Sequence, residues 1–320
     1  MAELVAAEGP YLDSILEASH ELWHEGLARR AYAQYYAAQR KTAWGRAHLE
    51  RFALVEGGDV VASAKRYDFT ASVDGRPART AGIGAVFTQP PHRGRGHGRA
   101  IVERLLERTA ADGFELALLF SEIGADYYGA LGFEEIPTFD LTLRVTESER
   151  HGAPATLVRY GDDRDLGNIT ALGRVRAERY AFHLERDEAL VRHAIAKKRL
   201  LAGLGPPGAR EVRFCIAEEG VMAVAYVVIT VAGDVWTIEE CGDRDPTGAR
   251  VGAILQTLIA REPSAKRPTI QGWLPPGFLP PQVTVVDRRR SNEVMMIRAL
   301  EGATPRVRED EVLYWRADLF

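Results

Sequence analysis

The residues best suited to chemistry stand in one short loop, Arg93-Gly94-Arg95-Gly96-His97-Gly98-Arg99. The loop follows the strand-like run AVFT and a Pro-Pro break, and it leads into the amphipathic stretch RAIVERLLERTAADG. The first amides of a helix have no partners and carry the positive end of the helix dipole. Glycines let those amides approach an oxyanion closely, and three arginines add positive charge. Residues 93–99 therefore predict a cradle for a pyrophosphate.

Other phosphate-binding motifs fit the cradle less well. A P-loop requires Gly-Lys-Ser/Thr, which this loop lacks. The dinucleotide fingerprint G-x-G-x-x-G has a different glycine spacing and follows the first strand of its fold. Glu115 lies at about the distance (~20 residues) of the ribose-binding acid in that fingerprint, but we interpret it as the polar start of a strand. The remaining alternative is a loop that merely turns a strand into a helix.

A second candidate is the run HELWH, residues 20–24, which fits the H-E-x-x-H pattern of zinc metalloproteases. On a helix the two histidines would lie one turn apart, with the glutamate beside them as general base. The third histidine of related metalloproteases is missing, and the nearest carboxylate candidate, Glu50, abuts a strand. We therefore expect no metal. The simplest interpretation is polar surface residues around a core-facing Trp23.

The elements around these residues follow one order twice: helix, helix, three strands, helix, strand. The turns at 57–59 and 74–76 predict hairpins, so the three strands form an antiparallel meander. We predict two copies of one α+β fold, residues 1–147 and 155–320, joined by a polar linker at 146–154. The runs FEEIPTFDLTLRV and EVLYWRADLF are predicted to complete the first and the second sheet, respectively.

Composition and charge narrow the function classes. The 320 residues suffice for two cores, and 46% hydrophobic with 27% charged residues is typical of a globular protein. The net charge of −4 gives no reason to expect nucleic acid or a membrane as partner. The N-terminus does not have the pattern of a signal peptide, and no apolar run is long enough for a membrane-spanning helix. We expect a soluble cytoplasmic protein.

Two motifs in the right order resemble the GNAT superfamily of N-acetyltransferases. The loop RGRGHG is similar to the superfamily's Gln/Arg-x-x-Gly-x-Gly/Ala segment. The run DYYGALGF, residues 126–133, is similar to its Tyr-x-x-x-Gly-Phe helix. The resemblance covers about residues 1–145. It implies an α+β fold of tandem GNAT-like domains, each with a mixed, mostly antiparallel sheet flanked by helices. It also implies acetyl-coenzyme A as the co-substrate.

The resemblance assigns residues to the cofactor. It implies that the pyrophosphate is bound by Arg93, Gly94, Arg95, Gly96, His97, Gly98 and Arg99. It also implies that the preceding strand splays from the next one and binds the pantetheine arm through the backbone of Val86, Phe87 and Thr88. Tyr128 corresponds to the tyrosine that often protonates the leaving thiolate. The alternative role is a core aromatic, for which Tyr127 is the better candidate.

The acceptor side is less defined. The amine must lose a proton before it attacks the thioester, and Glu122, just after the run ELALLFS, is the candidate base, acting through water. Its alternative is a solvated loop carboxylate. In the acetyltransferase fold the first two helices border the acceptor, which places Trp23, His24 and Tyr36 among its lining residues. The implied acceptor is a primary amine of a small molecule or peptide, and the sequence leaves a homodimer open.

The second half departs from the superfamily at both motifs. In place of the cradle it has the run GDRDPTG, residues 242–248, whose two aspartates oppose a diphosphate and whose proline lacks an amide donor. The later run WLPPGF has no tyrosine before Gly-Phe. We predict a degenerate copy that does not bind coenzyme A. Such a tandem resembles acetyltransferases of the enhanced intracellular survival type, although we expect no room here for their third, sterol-carrier-like domain.

Together these observations predict an N-acetyltransferase. The acetyl group passes from acetyl-coenzyme A to the amine by direct attack, without a covalent enzyme intermediate. The alternative is a coenzyme A-binding sensor or scaffold without turnover. Tyr128 favours the enzyme, because a sensor has no use for an acid that protonates a thiolate.

Overall fold

The computed structural model describes residues 2–146, 157–263 and 267–320. They fall into two compact units, each built from separate segments of the chain. Unit 1 comprises Met1–Pro137, Asn292–Val307 and Phe320, and unit 2 comprises Thr138–Ser291 and Arg308–Leu319. Apart from Thr146, the linker predicted at 146–154 lies outside the described residues.

The described part of the chain contains α-helices α1 (Gly9–Trp23), α2 (Arg29–Lys41), α3 (Ala43–His48), α4 (His97–Ala111), α5 (Asp126–Gly129), α6 (Leu166–Ala177), α7 (Glu188–Leu204) and α8 (Ala249–Arg261). Its strands are β1 (Glu3–Ala6), β2 (Leu49–Glu56), β3 (Asp59–Val73), β4 (Arg76–Thr88), β5 (Leu116–Ser121), β6 (Glu134–Ile136), β7 (Phe139–Val145), β8 (Leu157–Tyr160), β9 (Phe182–Leu184), β10 (Glu211–Glu219), β11 (Met222–Ala232), β12 (Val235–Asp243), β13 (Thr269–Gly272), β14 (Val283–Arg290), β15 (Val294–Ala299) and β16 (Val312–Leu313). None of the described helices is both long and apolar enough to cross a membrane.

Unit 1 contains a sheet in the order β1-β2-β3-β4-β5-β15-β6. Strands β1 to β4 are antiparallel neighbours, β5 pairs parallel with β4, and β15 pairs antiparallel with both β5 and β6. The turn between β3 and β4 holds Asp74 and Gly75 at positive φ of 50° and 76°, which suits the twist of a hairpin. The meander predicted from the sequence is therefore present.

Strands β7 and β15 each pair in the sheet of the domain to which the sequence does not assign them. The sequence places β7 in the first sheet, but β7 pairs with β13 and β14 in unit 2. Conversely, β15 pairs with β5 in unit 1 along its whole length. The predicted boundaries, 1–147 and 155–320, follow the chain, whereas the compact units follow these pairings. The alternation of a strand specifies its faces and not its partner, so the sequence pattern could not reveal the exchange.

Unit 2 contains a sheet in the order β14-β7-β13-β12-β11-β10-β8, again mostly antiparallel with one parallel pair, β12 with β13. The predicted α+β fold, with two mostly antiparallel sheets flanked by helices, is confirmed. The predicted last strand of this sheet is wrong. Within EVLYWRADLF only β16 is extended, and it pairs with β9. The residues after it turn inward, and Trp315 is 1% exposed in the core.

The core of unit 1 fixes where α4 begins. Helix α4 buries Ile101, Val102, Leu105 and Leu106 against the sheet, together with residues from β2, β3, β4 and β5. Burial of each large aliphatic side chain contributes about 1.5–3 kcal/mol. This packing holds the start of α4, and hence the cradle, at the end of β4.

Unit 2 buries a cluster of charged side chains. Arg186 lies 2.6 Å from Glu240 and 3.0 Å from Asp318; both carboxylates are buried, and the Arg186 side chain is 10% exposed. Lys197 donates to the backbone carbonyl of Leu319. Burial lowers the pKa of the Lys197 ammonium from 10.5 to about 7, an effect that the nearby carboxylates only partly oppose.

The first prediction concerns the pH dependence of stability. Between about pH 7 and 10.5 the unfolded chain binds a proton at Lys197 that the folded chain does not, so the folded state gains stability as the pH rises through this window. We expect the unfolding free energy of the wild type, minus that of Lys197→Met, to rise by at most about 1.4 kcal/mol per pH unit there. Urea unfolding at several pH values measures this difference, and a constant difference would contradict the prediction.

Candidate functional site

The sheet of unit 1 opens between β4 and β5. The two strands pair along residues 80–83 and 116–119, and their pairing ends there. Ala85 then takes a positive φ of 46°, and the register between β3 and β4 shifts at this point. Such a bulge bends a strand and re-aims its backbone. The backbone of residues 86–88 therefore continues without β5 beside it.

Helix α4 begins inside the cradle. Its N-cap is Gly96, which has a φ of 82° and no side-chain cap, and Gly94 has a φ of 75°. The first helical hydrogen bond runs from the Ala100 amide to the Gly96 carbonyl. The amides of residues 97–99 precede that bond and have no partner inside the helix. An anion placed here would meet these donors and the positive end of the helix dipole.

The three arginines of the cradle are exposed. Arg93 donates from Nε to the Thr88 carbonyl at 3.3 Å, and its guanidinium lies 5.8 Å from the centroid of the Phe87 ring. Arg99 donates to Glu103 at 2.8 Å, an exposed pair of small energetic weight. Because Arg93 contacts the end of β4, the predicted phosphate-binding and pantetheine-binding parts of the site are adjacent.

Gly98 lies beside two hydroxyl groups. A Cβ atom at Gly98 would lie 3.1 Å from Thr88 Oγ1 and 3.2 Å from Tyr127 Oη. Tyr127 is 37% exposed, so its assignment to the core was wrong. A one-turn helix, α5, turns its side chain toward the cradle, and the sequence pattern alone does not fix this orientation.

Tyr128, in contrast, packs in the core of unit 1, where it is 9% exposed and contacts the ring of Phe133. Burial raises the pKa of Tyr128 to about 12, with smaller contributions from Tyr127 and Glu122. The phenol is therefore protonated at neutral pH, as a proton donor must be. Its role as the acid stays a prediction.

Glu122 follows β5 directly, and its pKa is raised. Partial burial is the largest cause, followed by the negative charges of Glu293 and Glu25. A raised pKa brings a carboxylate closer to the range useful for a general base. Glu293 belongs to none of the sequence motifs, and it comes near Glu122 only because Val294 pairs with Ser121 across β15 and β5. No local signal in the sequence reveals that pairing.

The predicted acceptor-lining residues separate into two groups. Trp23 is half-buried, and its ring meets the ring of Phe87 edge-on with centroids 5.8 Å apart. His24 is exposed, and its Nδ1 accepts a hydrogen bond from the Gly26 amide at 2.9 Å. Both lie at the end of α1, and Trp23 is thereby brought to the open end of β4.

Tyr36 lies deeper, at 6% exposure, with its pKa raised by burial. The guanidinium of Arg51 lies 5.2 Å from the centroid of its ring. Arg51 is itself 3% exposed, and its guanidinium has no hydrogen-bond partner among the described residues. The contact with the Tyr36 ring is therefore the main compensation for this buried charge. Tyr36 belongs to a buried wall rather than to an open cleft.

An aromatic cluster on β3 and β4 was not found from the sequence. Tyr67 and Phe69 stack at 6.1 Å between centroids, and the ring of Phe320 lies 4.9 Å from that of Tyr67. A Cβ atom at Gly82 would approach Phe69 and Phe320 closer than 3.0 Å, and at Gly84 it would meet the backbone of Phe320. Only glycine fits under Phe320 on this strand. The last residue of the chain comes here through the tertiary structure.

The two histidines of the H-E-x-x-H run make other contacts. His20 Nε2 lies 2.9 Å from the Leu27 carbonyl, and the ring of His20 lies 5.3 Å from that of His24. Within the described residues, no group of three or more histidine, cysteine, aspartate or glutamate side chains is arranged to hold a metal ion.

In unit 2 the side chain of Asp243 binds the first amides of α8, the kind of position where the start of α4 would bind an anion. The Asp243 carboxylate accepts hydrogen bonds from the amides of Asp245 at 2.9 Å, Arg250 at 2.8 Å and Val251 at 3.1 Å. The last two amides belong to the first turn of α8, which begins after Gly248 as α4 begins after Gly96. Burial raises the pKa of Asp243 although these bonds oppose the shift. A diphosphate at α8 would have to displace this carboxylate.

The second prediction follows from this difference between the two helix starts. We expect calorimetric titration with acetyl-coenzyme A to give one site per chain, because the amides of α8 are already bonded to Asp243. Two equivalent sites would overturn the prediction. Asp243→Ala serves as a variant in which the competing carboxylate is removed from the start of α8.

The comparisons with known proteins agree with this geometry. Residues 13–136 match the family model for an acetyltransferase (GNAT) domain. These residues contain the cradle, the opening between β4 and β5, and Tyr128. Residues 13–136 are a GNAT domain. No curated protein sequence matches the chain.

Solved structures extend the likeness of fold beyond this GNAT domain. A GCN5-related N-acetyltransferase from Kribbella flavida is similar with a TM-score of 0.69 and 20% identity, over 93% of this chain and 71% of that one. A probable N-acyltransferase from Enterococcus faecalis is similar with a TM-score of 0.68 and 14% identity, over 94% of this chain and 72% of that one. An N-myristoyltransferase from Saccharomyces cerevisiae with bound myristoyl-CoA is similar with a TM-score of 0.54 and 9% identity, over 92% of this chain and 82% of that one. At these identities the likeness shows the fold alone.

Proposed function

We propose that the protein transfers an acetyl group from acetyl-coenzyme A to a primary amine. The observation that carries the proposal is the alignment of two features in unit 1: the uncapped start of α4 and, directly before it, the strand backbone left open by β5. The first suits a diphosphate and the second suits an amide-containing arm such as pantetheine. The GNAT family model over residues 13–136 supports the same assignment.

The proposed chemistry needs no covalent enzyme intermediate. The amine attacks the thioester carbonyl after losing a proton, for which Glu122 acts as the base through water. The tetrahedral intermediate then expels the thiolate of coenzyme A, which Tyr128 protonates. The pKa of Tyr128, raised to about 12, keeps its proton available, and the raised pKa of Glu122 increases its basicity. The cradle residues 93–99 hold the diphosphate and fix the thioester against the open strand.

The length of the transferred acyl group can be tested directly. The family model names acetyl transfer, while one structure of similar fold holds a myristoyl thioester. Thiol release from acetyl-coenzyme A and from a long-chain acyl-coenzyme A should be measured with the same panel of amines. Turnover with the acetyl donor on any amine supports the proposal. Turnover with the long-chain donor alone replaces acetyl transfer by transfer of that group.

The alternative is a coenzyme A-binding sensor or scaffold without turnover. It predicts binding of acetyl-coenzyme A in calorimetry and no thiol release with any amine. The panel should include amino acids, polyamines, aminoglycosides and peptides, since the lining residues do not identify the acceptor. Activity measured with and without a chelator tests the expectation that no metal takes part.

A further inference from the structure

Unit 2 contains a cleft that the proposed function does not use. The cleft has a volume of about 240 Å³ and lies between helix α6 and the adjoining ends of β11 and β12. One face of α6 provides most of one wall, and the loop after β12 provides the other. Asp243, whose carboxylate accepts hydrogen bonds from the first amides of α8, also lines the cleft.

The cleft is rich in positive charge. Arg176 from α6, Arg179 from the turn after α6 and Arg244 from the loop line it. None of these three arginines forms an ion pair with another described residue, whereas many other arginines of unit 2 do. Among the lining residues the only carboxylate is Asp243, so one carboxylate stands against three guanidinium groups. The cleft therefore carries unbalanced positive charge.

Of the three arginines, Arg176 is the one whose side chain is held in place by packing. It is 7% exposed, its guanidinium lies 3.9 Å from the centroid of the Phe278 ring, and its Nε has no hydrogen-bond partner in the described part of the chain. Its Nη2 reaches the Pro246 carbonyl at a long 3.5 Å. A buried donor without a partner costs about 1–3 kcal/mol. An anion in the cleft would balance the charge of a guanidinium that stacking already holds in place.

Part of the cleft lining is apolar. Leu172, Val175 and Met222 form this part, and Val175 and Met222 are 61% and 48% exposed. Exposed apolar side chains beside a set of cations favour a ligand that has both an anionic group and an apolar body.

We propose that this cleft binds a small organic anion, with its carboxylate or phosphate group at Arg176, Arg179 and Arg244 and its apolar body against Val175 and Met222. The ligand is thus distinct from the diphosphate that the cradle of unit 1 is proposed to bind. The role of unit 2 would then be recognition of this ligand rather than acyl transfer.

The test uses the full chain and three probes: benzoate, phenyl phosphate and inorganic phosphate. Binding is followed by calorimetry and by the shift in melting temperature, each with acetyl-coenzyme A absent. We expect benzoate or phenyl phosphate to bind with a dissociation constant below about 10 mM. A preference for one of the two identifies the anionic group. Inorganic phosphate binding as tightly as both would overturn the apolar half of the proposal.

Variants distinguish binding in the cleft from non-specific attraction of the probes to positive charge. Arg179 and Arg244 are exposed, so their replacement by alanine should leave the fold intact, whereas Arg176→Ala risks destabilising the contact with Phe278. The double variant Arg179→Ala/Arg244→Ala is expected to weaken probe binding by about tenfold or more. Arg174→Ala is the matched control, because Arg174 is exposed on α6 and does not line the cleft. Equal binding by wild type and double variant, or no binding of any probe by the wild type, would overturn the proposal.

Discussion

Replacement of Tyr128 by phenylalanine is expected to lower the turnover number by about 100-fold or more, the usual contribution of a general acid. The Michaelis constants should change little, because the ring stays in its place in the core. The loss arises because the thiolate of coenzyme A then leaves without a proton donor. Steady-state thiol release with a saturating amine measures it.

Tyr127→Phe is the matched control for this variant. The two tyrosines are adjacent, and each substitution removes one hydroxyl group and nothing else. Tyr127 lies beside Gly98, so its loss is expected to affect the affinity for acetyl-coenzyme A more than the turnover number. If Tyr127→Phe abolishes turnover while Tyr128→Phe is fully active, the acid is Tyr127. The pKa of about 12 adds a further expectation, since an acid with this pKa keeps its proton, and the rate should not fall through its ionisation below pH 10.

Replacement of Gly96 by alanine is expected to weaken acetyl-coenzyme A binding by about tenfold or more. Gly96 has a φ of 82°, where an L-residue costs roughly 1–2 kcal/mol. Relief of that strain would rotate the peptide groups that direct the first amides of α4 toward the phosphates. Calorimetric titration with acetyl-coenzyme A and with coenzyme A measures the change.

Gly75→Ala controls for the strain itself. Gly75 has a φ of 76° in the hairpin between β3 and β4, and a Cβ atom meets nothing within 4 Å at either glycine. Both variants should therefore lose similar stability, while only Gly96→Ala should lose affinity. Equal affinities for the two variants would remove the cradle from the binding site. A loss of melting temperature without a loss of affinity in Gly96→Ala would have the same meaning.

Local sequence signals determined the elements that build the site. The glycine spacing of residues 93–99 and the amphipathic run after it were sufficient to place a helix start with open amides at the end of a strand. The hairpin turn at 74–76 set the register of β3 and β4 because its positive φ values are encoded by Asp-Gly. The α+β fold followed from the order of these elements. All of these features depend on residues that are close together in the chain.

The tertiary structure decided the features that depend on distant residues. It exchanged β7 and β15 between the sheets, and it thereby brought Glu293 to Glu122. The orientation of the two tyrosines of α5 also depends on tertiary packing, which leaves Tyr127 exposed and buries Tyr128.

Unit 2 illustrates the same division. The sequence indicated that the aspartates of residues 242–248 disfavour a diphosphate, but only the structure shows Asp243 bonded to the amides of α8. The cleft with Arg176 is also invisible in the sequence, because its walls come from α6 and from a loop far along the chain. Period and spacing specify which face of an element is buried. The partner of that face is selected by the free energy of the whole packed structure, which no local pattern encodes.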